Sequence, residues 1–200
     1  MFLPKLFTDA ALTLGTLPGI GPKAAERLVF YILDQPEEEV RKLAEVLVKA
    51  KDAIRFCRRC GNFAEADLCE VCQDTSRDAG TVCVVEEIRD LAAIEKTGAF
   101  HGLYHVLHGH IDPIGRIGPA ELQLDHLVER MVQGSVREVI IATNPNFNGD
   151  ITAMYLAKLL GTPGIRTTRI ATGIPKGSDL EFADVFTLTQ ALEKRTDVSG

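Results

Sequence analysis

The spacing of apolar positions changes along the chain, and the change divides it. In the N-terminal quarter the spacing is helical. Residues 8–16 form a short amphipathic stretch, and 23–33 place apolar side chains at 25, 28, 29 and 32 on one helix face. Leu17-Pro18-Gly19-Ile20-Gly21-Pro22 predicts a tight turn between them, and Pro36 stops the second helix. A third helix is expected over 37–54. Acids fill its first turn, and Lys49, Lys51 and Arg55 stand at its end, as the helix dipole favours.

From residue 81 short β-branched runs alternate with helical stretches. Strands are expected over 81–85, 103–107, 136–143 and 165–171, and helices over 88–96, 121–132 and 149–160. Such alternation implies a parallel sheet covered on both faces. The expected fold class is α/β with a small all-α N-terminal region. The expected organisation is a helical region (1–56), a cysteine module (57–72), a linker (73–80), a sheet domain (81–175) and a C-terminal tail with an oligomer contact (176–200).

Composition adds limits. The 200 residues are 46% apolar and 25% charged, which suits a globular chain with a buried core. Aromatics make up 6% and there is no Trp, so the core should be aliphatic. No run of 18 apolar residues occurs, and Met1-Phe2-Leu3-Pro4-Lys5 lacks the apolar segment of a signal peptide. The expected location is the cytosol, without membrane contact. Disulfides are then disfavoured, and grouped cysteines point to a metal.

Cys57, Cys60, Cys69 and Cys72 form two Cys-x-x-Cys knuckles eight residues apart. Four thiolates around one ion leave no open position for water, so this pattern predicts one structural zinc per chain. Four free thiols or an iron–sulfur cluster are the competing readings. Cys83 stands apart within a strand and reads as core. The module is too small for a core of its own, so zinc should substitute for one. The expected role is a joint whose loss of metal leaves the sheet domain largely intact.

The net charge is −6, so a nucleic-acid partner would need a local basic patch. Two candidates exist. Gly19 and Gly21 let the backbone turn tightly before a helix N-terminus, which is an anion site, and Lys23 and Arg27 follow one turn apart. Residues 49–60 add Lys49, Lys51, Arg55, Arg58 and Arg59 against only Asp52, a local charge of +4. Contacts of this kind would address phosphates and fade with salt.

In the sheet domain, Val82-Cys83-Val84-Val85 leads into Glu86-Glu87, and Val139-Ile140-Ile141-Ala142-Thr143 leads into Asn144-Pro145-Asn146-Phe147-Asn148-Gly149-Asp150. Strand ends of this kind share a crevice. His105, His108 and His110 read as one strand-face residue and two turn residues rather than metal ligands. No phosphate-binding P-loop and no Gly-x-Ser-x-Gly nucleophile motif occurs.

The residues Leu17 to Arg27 resemble a helix-hairpin-helix motif, which binds DNA backbone without reading sequence. The strand ends resemble a Toprim domain. There a glutamate on the first strand and an Asp-x-Asp after a later one hold magnesium for phosphoryl chemistry. Glu86 or Glu87 matches the glutamate, but the aspartate positions are Asn144 and Asn146, and Asp150 remains. Amides hold magnesium weakly, so a non-catalytic Toprim domain is expected, with magnesium at most loosely held. The competing reading is a magnesium-dependent Toprim nuclease or topoisomerase-like enzyme.

The whole order, with LPGIGPKAAERL, CRRCG, LCEVC, TVCVVEE, GLYHVLHG, IDPIGRIGPAEL and RIATGIPKGSDLEFAD, resembles the bacterial recombination mediators of the RecR family. The Asn146–Asp150 loop departs from that family's more usual threonine, valine and acidic Glu-Gly-Glu. The resemblance implies a non-enzymatic, nucleoid-associated DNA repair factor that forms a ring-shaped homotetramer. It implies work with RecO and RecF to load RecA on gapped single strands. It places DNA contact at Lys23 and Arg27, and partner contact at Glu86, Glu87 and the loop around Asp150. The apolar Phe2, Leu3, Leu6 and Phe7 are expected either in a subunit contact or in an internal core.

Overall fold

A computed structural model describes residues 3–132, 136–161 and 164–196; Phe2 lies outside the described residues. The chain divides into two compact units, Met1–Ile54 and Arg55–Gly200.

The first unit holds three helices, α1 (Lys5–Leu14), α2 (Pro22–Leu33) and α3 (Glu37–Ala53). Phe7 of α1 is buried and its ring lies 4.7 Å from that of Phe30 in α2, while Leu6 remains exposed. The apolar N-terminal stretch is therefore split, with Phe7 turned inward and Leu6 turned to solvent. Glu37, Glu38 and Glu39 fill the first turn of α3 and Lys51 the last. No residue of α3 is buried, and Leu43, Val46 and Leu47 stay exposed.

The second unit opens with a two-residue antiparallel ladder between β1 (Arg55–Phe56) and β2 (Phe63–Ala64), followed by the short helix α4 (Glu70–Gln73). A doubly covered sheet follows: β3 (Asp78–Val85), α5 (Ile88–Glu95), β4 (Gly102–Val106), α6 (Asp125–Val132), β5 (Glu138–Ala142), α7 (Phe147–Leu159) and β6 (Arg166–Arg169). The strands are all parallel, in the order β4-β3-β5-β6. A last helix, α8 (Val185–Glu193), lies in the C-terminal region.

Strand alternation sorts the core into two layers. Val82, Val84, Val139 and Ile141 pack with Leu127 of α6 and Leu156 of α7. Cys83, Val85, Tyr104 and Val106 pack with Leu91 of α5 on the other face. Burial pushes the Cys83 thiol up to about 12, so it stays protonated as a core group.

Two boundaries differ from the sequence pattern. β3 begins at Asp78, inside the segment read as a linker, because Arg137 ties it down. The Arg137 guanidinium donates to Asp78 Oδ1 at 2.8 Å, and its backbone N–H donates to the Gly80 carbonyl at 2.7 Å. α6 begins at Asp125 instead of residue 121. Leu122 and Leu124 are both buried on either side of the exposed Gln123, whose N–H donates to the Leu107 carbonyl at 3.0 Å. The two buried leucines stand two apart, an alternation that a helix does not give, and the hydrogen bond to the residue after β4 holds this segment outside the helix.

β4 is an edge strand, yet its outward carbonyls are covered. Arg77 Nη1 donates to Gly102 O at 3.1 Å, and Arg130 Nη1 donates to Tyr104 O at 2.9 Å. Arg77 also pairs with Glu95. Among the described residues no helix is long and apolar enough to cross a membrane.

Candidate functional site

The four paired cysteines come together. Their Sγ atoms all lie within 4.8 Å of one another, and all four residues are buried. Cys60 Sγ and Cys69 Sγ are 3.5 Å apart, and none of the cysteines is in a disulfide. A tetrahedral ion with Zn–S near 2.3 Å would put the sulfurs about 3.8 Å apart, so this donor set fits zinc. Hydrogen bonds from Cys60 and then Cys72 pull the Cys69 thiol below its ordinary value. The first knuckle turns tightly: Gly61 N–H donates to Cys57 O at 2.9 Å, and Cys57 N–H donates to Asn62 O at 2.6 Å. Gly61 has φ +76°, and a Cβ there would lie 3.1 Å from Val106 O and 2.9 Å from His108 Nε2.

That tight approach joins the knuckle to the sheet. The Val106 N–H donates to Cys60 O at 2.8 Å, and Val71 packs against both the cysteine cluster and a sheet core. The module is therefore part of the second unit and not a free-standing joint.

Arginines surround the cluster. Arg59 Nη1 donates to Cys72 O at 3.0 Å. Arg58, Arg59, Leu68, His126, Glu129 and Arg130 line an adjoining cavity of about 270 Å³. Arg130 Nη2 is buried without a hydrogen-bond partner. Zinc held by four thiolates carries two net negative charges, which these guanidiniums are placed to offset.

In the first unit, Leu17–Ile20 closes as a turn, with Ile20 N–H donating to Leu17 O at 3.1 Å and Gly19 at φ +81°. Gly21 is the extended N-cap of α2 and Pro22 its first residue. No side chain caps this terminus, so its leading N–H groups face outward with Lys23 and Arg27, both exposed. Lys49 approaches Glu45 at 3.9 Å, and Lys51, Arg55 and Arg58 are exposed.

The Toprim-like crevice lies where the connections after β3 and β5 diverge, the switch point of the sheet. Glu86 is only 2% exposed. Its Oε1 accepts the Asn144 backbone N–H at 3.0 Å and its Oε2 accepts Asn144 Nδ2 at 2.6 Å. His110 Nδ1 lies 3.5 Å from Oε2. Glu87 points to other work: its N–H bonds Asp90 at the start of α5, and its side chain pairs with Arg89 at 2.6 Å. Asn146 caps α7 through Oδ1, which accepts the Gly149 N–H at 2.9 Å. Asp150 pairs with Arg169 at 2.6 Å. A Cβ on Gly149 would sit 1.9 Å from Asn144 O, so only glycine fits there.

Each crevice carboxylate thus has an internal partner where a metal enzyme would leave it free. Among the described residues, the cysteine cluster is the only group of three or more His, Cys, Asp or Glu side chains close enough to hold a metal ion. His105 is buried, with Nε2 bonded to the Gln123 carbonyl, and burial lowers its pKa to about 4. His108 sits at φ 59° against the Phe56 ring.

Family models match the chain in the same order: RecR, helix-hairpin-helix over 9–51; RecR, four-cysteine zinc finger domain over 54–74; Toprim domain over 80–171; and RecR, C-terminal over 173–196. The chain is 54% identical over 182 residues to the recombination protein RecR of Acidothermus cellulolyticus, covering 91% of this chain and 92% of that one. It is 52% identical over 186 residues to that of Leifsonia xyli, covering 93% and 94%. It is 50% identical over 187 residues to that of Frankia alni, covering 94% of each. The chain belongs to the RecR family. The resemblance and fold class expected from the motifs are thereby met. Three features of this RecR-family chain escaped the motifs: His110 at Glu86, the α6 residues His126 and Arg130 beside the cysteines, and the Phe56–Phe63 ring pair. Periodicity carries no signal for the first two. The third was signalled only by two aromatics flanking a knuckle.

Proposed function

We propose that this chain is a non-enzymatic recombination mediator in DNA repair, a homotetrameric ring or clamp that binds DNA through its phosphates. The observation that carries this is the uncapped N-terminus of α2, where Gly19 and Gly21 shape the turn and Lys23 and Arg27 stand exposed. Lys51 in the same unit, and separately Arg55, Arg58 and Arg59 in the second unit, are further candidate phosphate contacts. Exposed apolar side chains support assembly: Leu3, Leu6, Phe30 and Leu33 border a groove of about 370 Å³, and Phe182, Val185 and Phe186 stand out near the C-terminus. We take residues 1–56, 57–72, 78–175 and 176–200 as the functional parts, since β3 takes in Asp78–Gly80 of the segment expected as a linker.

The names of the relatives support work in recombination, and on this reading the chain acts in the cytoplasm with the nucleoid. Its partners on this reading are RecO and RecF, which it helps to load RecA on gapped single strands. The crevice at Glu86, Glu87, Asn144, Asn146 and Asp150 serves partner contact. Its carboxylates are already paired, so magnesium is held weakly if at all, while one zinc per chain is structural.

Mobility shifts on gapped DNA test the DNA reading. Binding should be independent of sequence and weaken steeply with salt. Lys23→Ala with Arg27→Ala should reduce the salt slope by about 2, roughly one per phosphate contact. A double variant that binds as well as the parent refutes the hairpin assignment. Magnesium-dependent DNA cleavage abolished by Glu86→Gln would overturn the non-enzymatic assignment. Light scattering at the mass of one chain would overturn the ring.

A further inference from the structure

Phe56 and Phe63 lie opposite each other on β1 and β2, with rings parallel to within 11° and centroids 5.8 Å apart. Both remain more than half exposed, at 58% and 55%. Large rings are usually covered in a folded chain, and here two share one surface. Their position is fixed in advance. The Phe63 N–H donates to Asn62 Oδ1 at 2.8 Å, the knuckle closes through Cys57 and Gly61, and His108 packs on Phe56 at 4.4 Å.

Positive charge flanks the pair in sequence. Arg55 precedes Phe56, and Arg58 follows it two residues on; both are exposed. The arginine ion pairs among the described residues of this unit involve Arg77, Arg89, Arg137, Arg166 and Arg169, leaving these two available. Two exposed rings with unpaired arginines one and two residues away in sequence suit a ligand with flat apolar rings on an anionic backbone. A purely apolar partner would leave those charges without a counterpart.

We propose that Phe56 and Phe63 form a stacking platform for unpaired nucleobases, so that the zinc module favours single strands over duplex. The proposal rests on the DNA-binding reading above and adds what phosphate contacts lack. Phosphates are present in both kinds of strand, whereas only unpaired bases offer a free ring face. Stacking tolerates any sequence because every base has such a face. The rigid hairpin reduces the ordering cost of making the stack.

The chain has no Trp, so Phe63→Trp supplies a single fluorescent reporter. A thymidine oligonucleotide should quench its emission, and a duplex of equal length should not. Phe63→Ala should weaken single-strand binding by roughly 5- to 150-fold, the span measured for loss of one stacked base, with duplex affinity within about twofold of the parent. Phe63→Leu keeps apolar bulk but not the ring and should behave like Phe63→Ala. Zinc content equal to the parent's establishes that each variant is folded. Equal quenching by duplex overturns the platform, as do variants that bind single strands like the parent. A variant that changes the oligomer mass and leaves affinity intact assigns the rings to a second copy instead. If Phe63 variants leave single-strand and duplex binding alike, the platform fails while the DNA-binding reading stands. A parent that binds neither strand type overturns both.

Discussion

Asn144→Asp converts the donor that occupies Glu86 into a second carboxylate. In the parent, the Asn144 amide reaches Oε2 at 2.6 Å, and Glu86 is 2% exposed. A hydrogen bond to a charged acceptor contributes about 1.5–3 kcal/mol, and the substitution removes it whenever both carboxyls are ionised. Two ionised carboxylates at roughly 4 Å would add about 4 kcal/mol of repulsion at an effective dielectric near 20. The pair avoids most of that by retaining one proton. A net loss of about 2–3 kcal/mol is expected, or a fall in Tm of roughly 4–12 °C for a chain of this size. The sign of the pH effect follows. Sharing a proton raises the folded pKa of the pair above its unfolded value. The variant therefore approaches the parent in acid and falls behind as pH rises toward 8. Asn146→Asp preserves the cap on α7, because a carboxylate also accepts the Gly149 N–H. The double variant should then regain stability with magnesium, by about 2.7 kcal/mol at one hundred times its Kd, while the parent melts unchanged. Thermal melts from pH 5 to 8, with and without magnesium, read all of this. An Asn144→Asp variant as stable as the parent at every pH, without metal, would show that the Glu86–Asn144 bond contributes little.

Other expectations follow from the same structure. Metal analysis should find one zinc per chain, and chelation should accelerate hydrogen exchange at the Val106 amide, because its acceptor is Cys60 O; protection that survives chelation counts against the coupling. Arg130→Gln should weaken zinc affinity by roughly 10- to 100-fold in a chelator competition, as loss of an outer-shell partner does, and an unchanged affinity removes Arg130 from that role. His105 protonates at about 4 when folded against an ordinary 6.5, so the unfolded chain takes up its proton first. Stability should fall as pH drops below 6.5, by about 3 kcal/mol on reaching 4, and His105→Gln should flatten that slope in urea titrations; parallel curves contradict it. Leu156→Ala, at a fully buried site of α7, should cost about 2–5 kcal/mol, and a loss under 1 kcal/mol would mean the core collapses around it.

The sequence pattern revealed what local chemistry determines. The apolar runs Val82–Val85 and Val139–Ala142 located the two central strands, because strands buried on both faces read as continuous apolar stretches, while the edge strand β6, Arg166–Arg169, was marked by its paired threonines between apolar residues. The paired knuckles located a cluster whose spacing is itself the constraint. What stayed hidden depends on distant partners. Asp78-Ala79-Gly80 has no strand propensity and is strand because Arg137 bonds it from far along the chain. His110 reaches Glu86 from a turn in which His108 has a left-handed φ and Gly109 a positive one, a conformation that periodicity does not signal. Glu86 and Glu87 are adjacent and chemically alike in sequence. One ends up inside the crevice and the other at the start of α5, a separation made by strand direction. The motifs also gave no sign that the cysteine module touches the sheet directly, through Val71 and the Cys60 carbonyl.

The groups along the outer side of β4 have one further consequence. Gly102 O is taken by Arg77, Tyr104 O by Arg130 and the Val106 N–H by Cys60 O. An open parallel sheet normally leaves such a row free to recruit a strand from another molecule. Here two guanidiniums and a metal knuckle occupy it, and a guanidinium cannot itself continue a ladder. The zinc module thereby guards the sheet against self-association. Stripping the metal frees the Val106 end of that row, so the apo chain's first failure should be clumping through β4, well before the sheet itself melts.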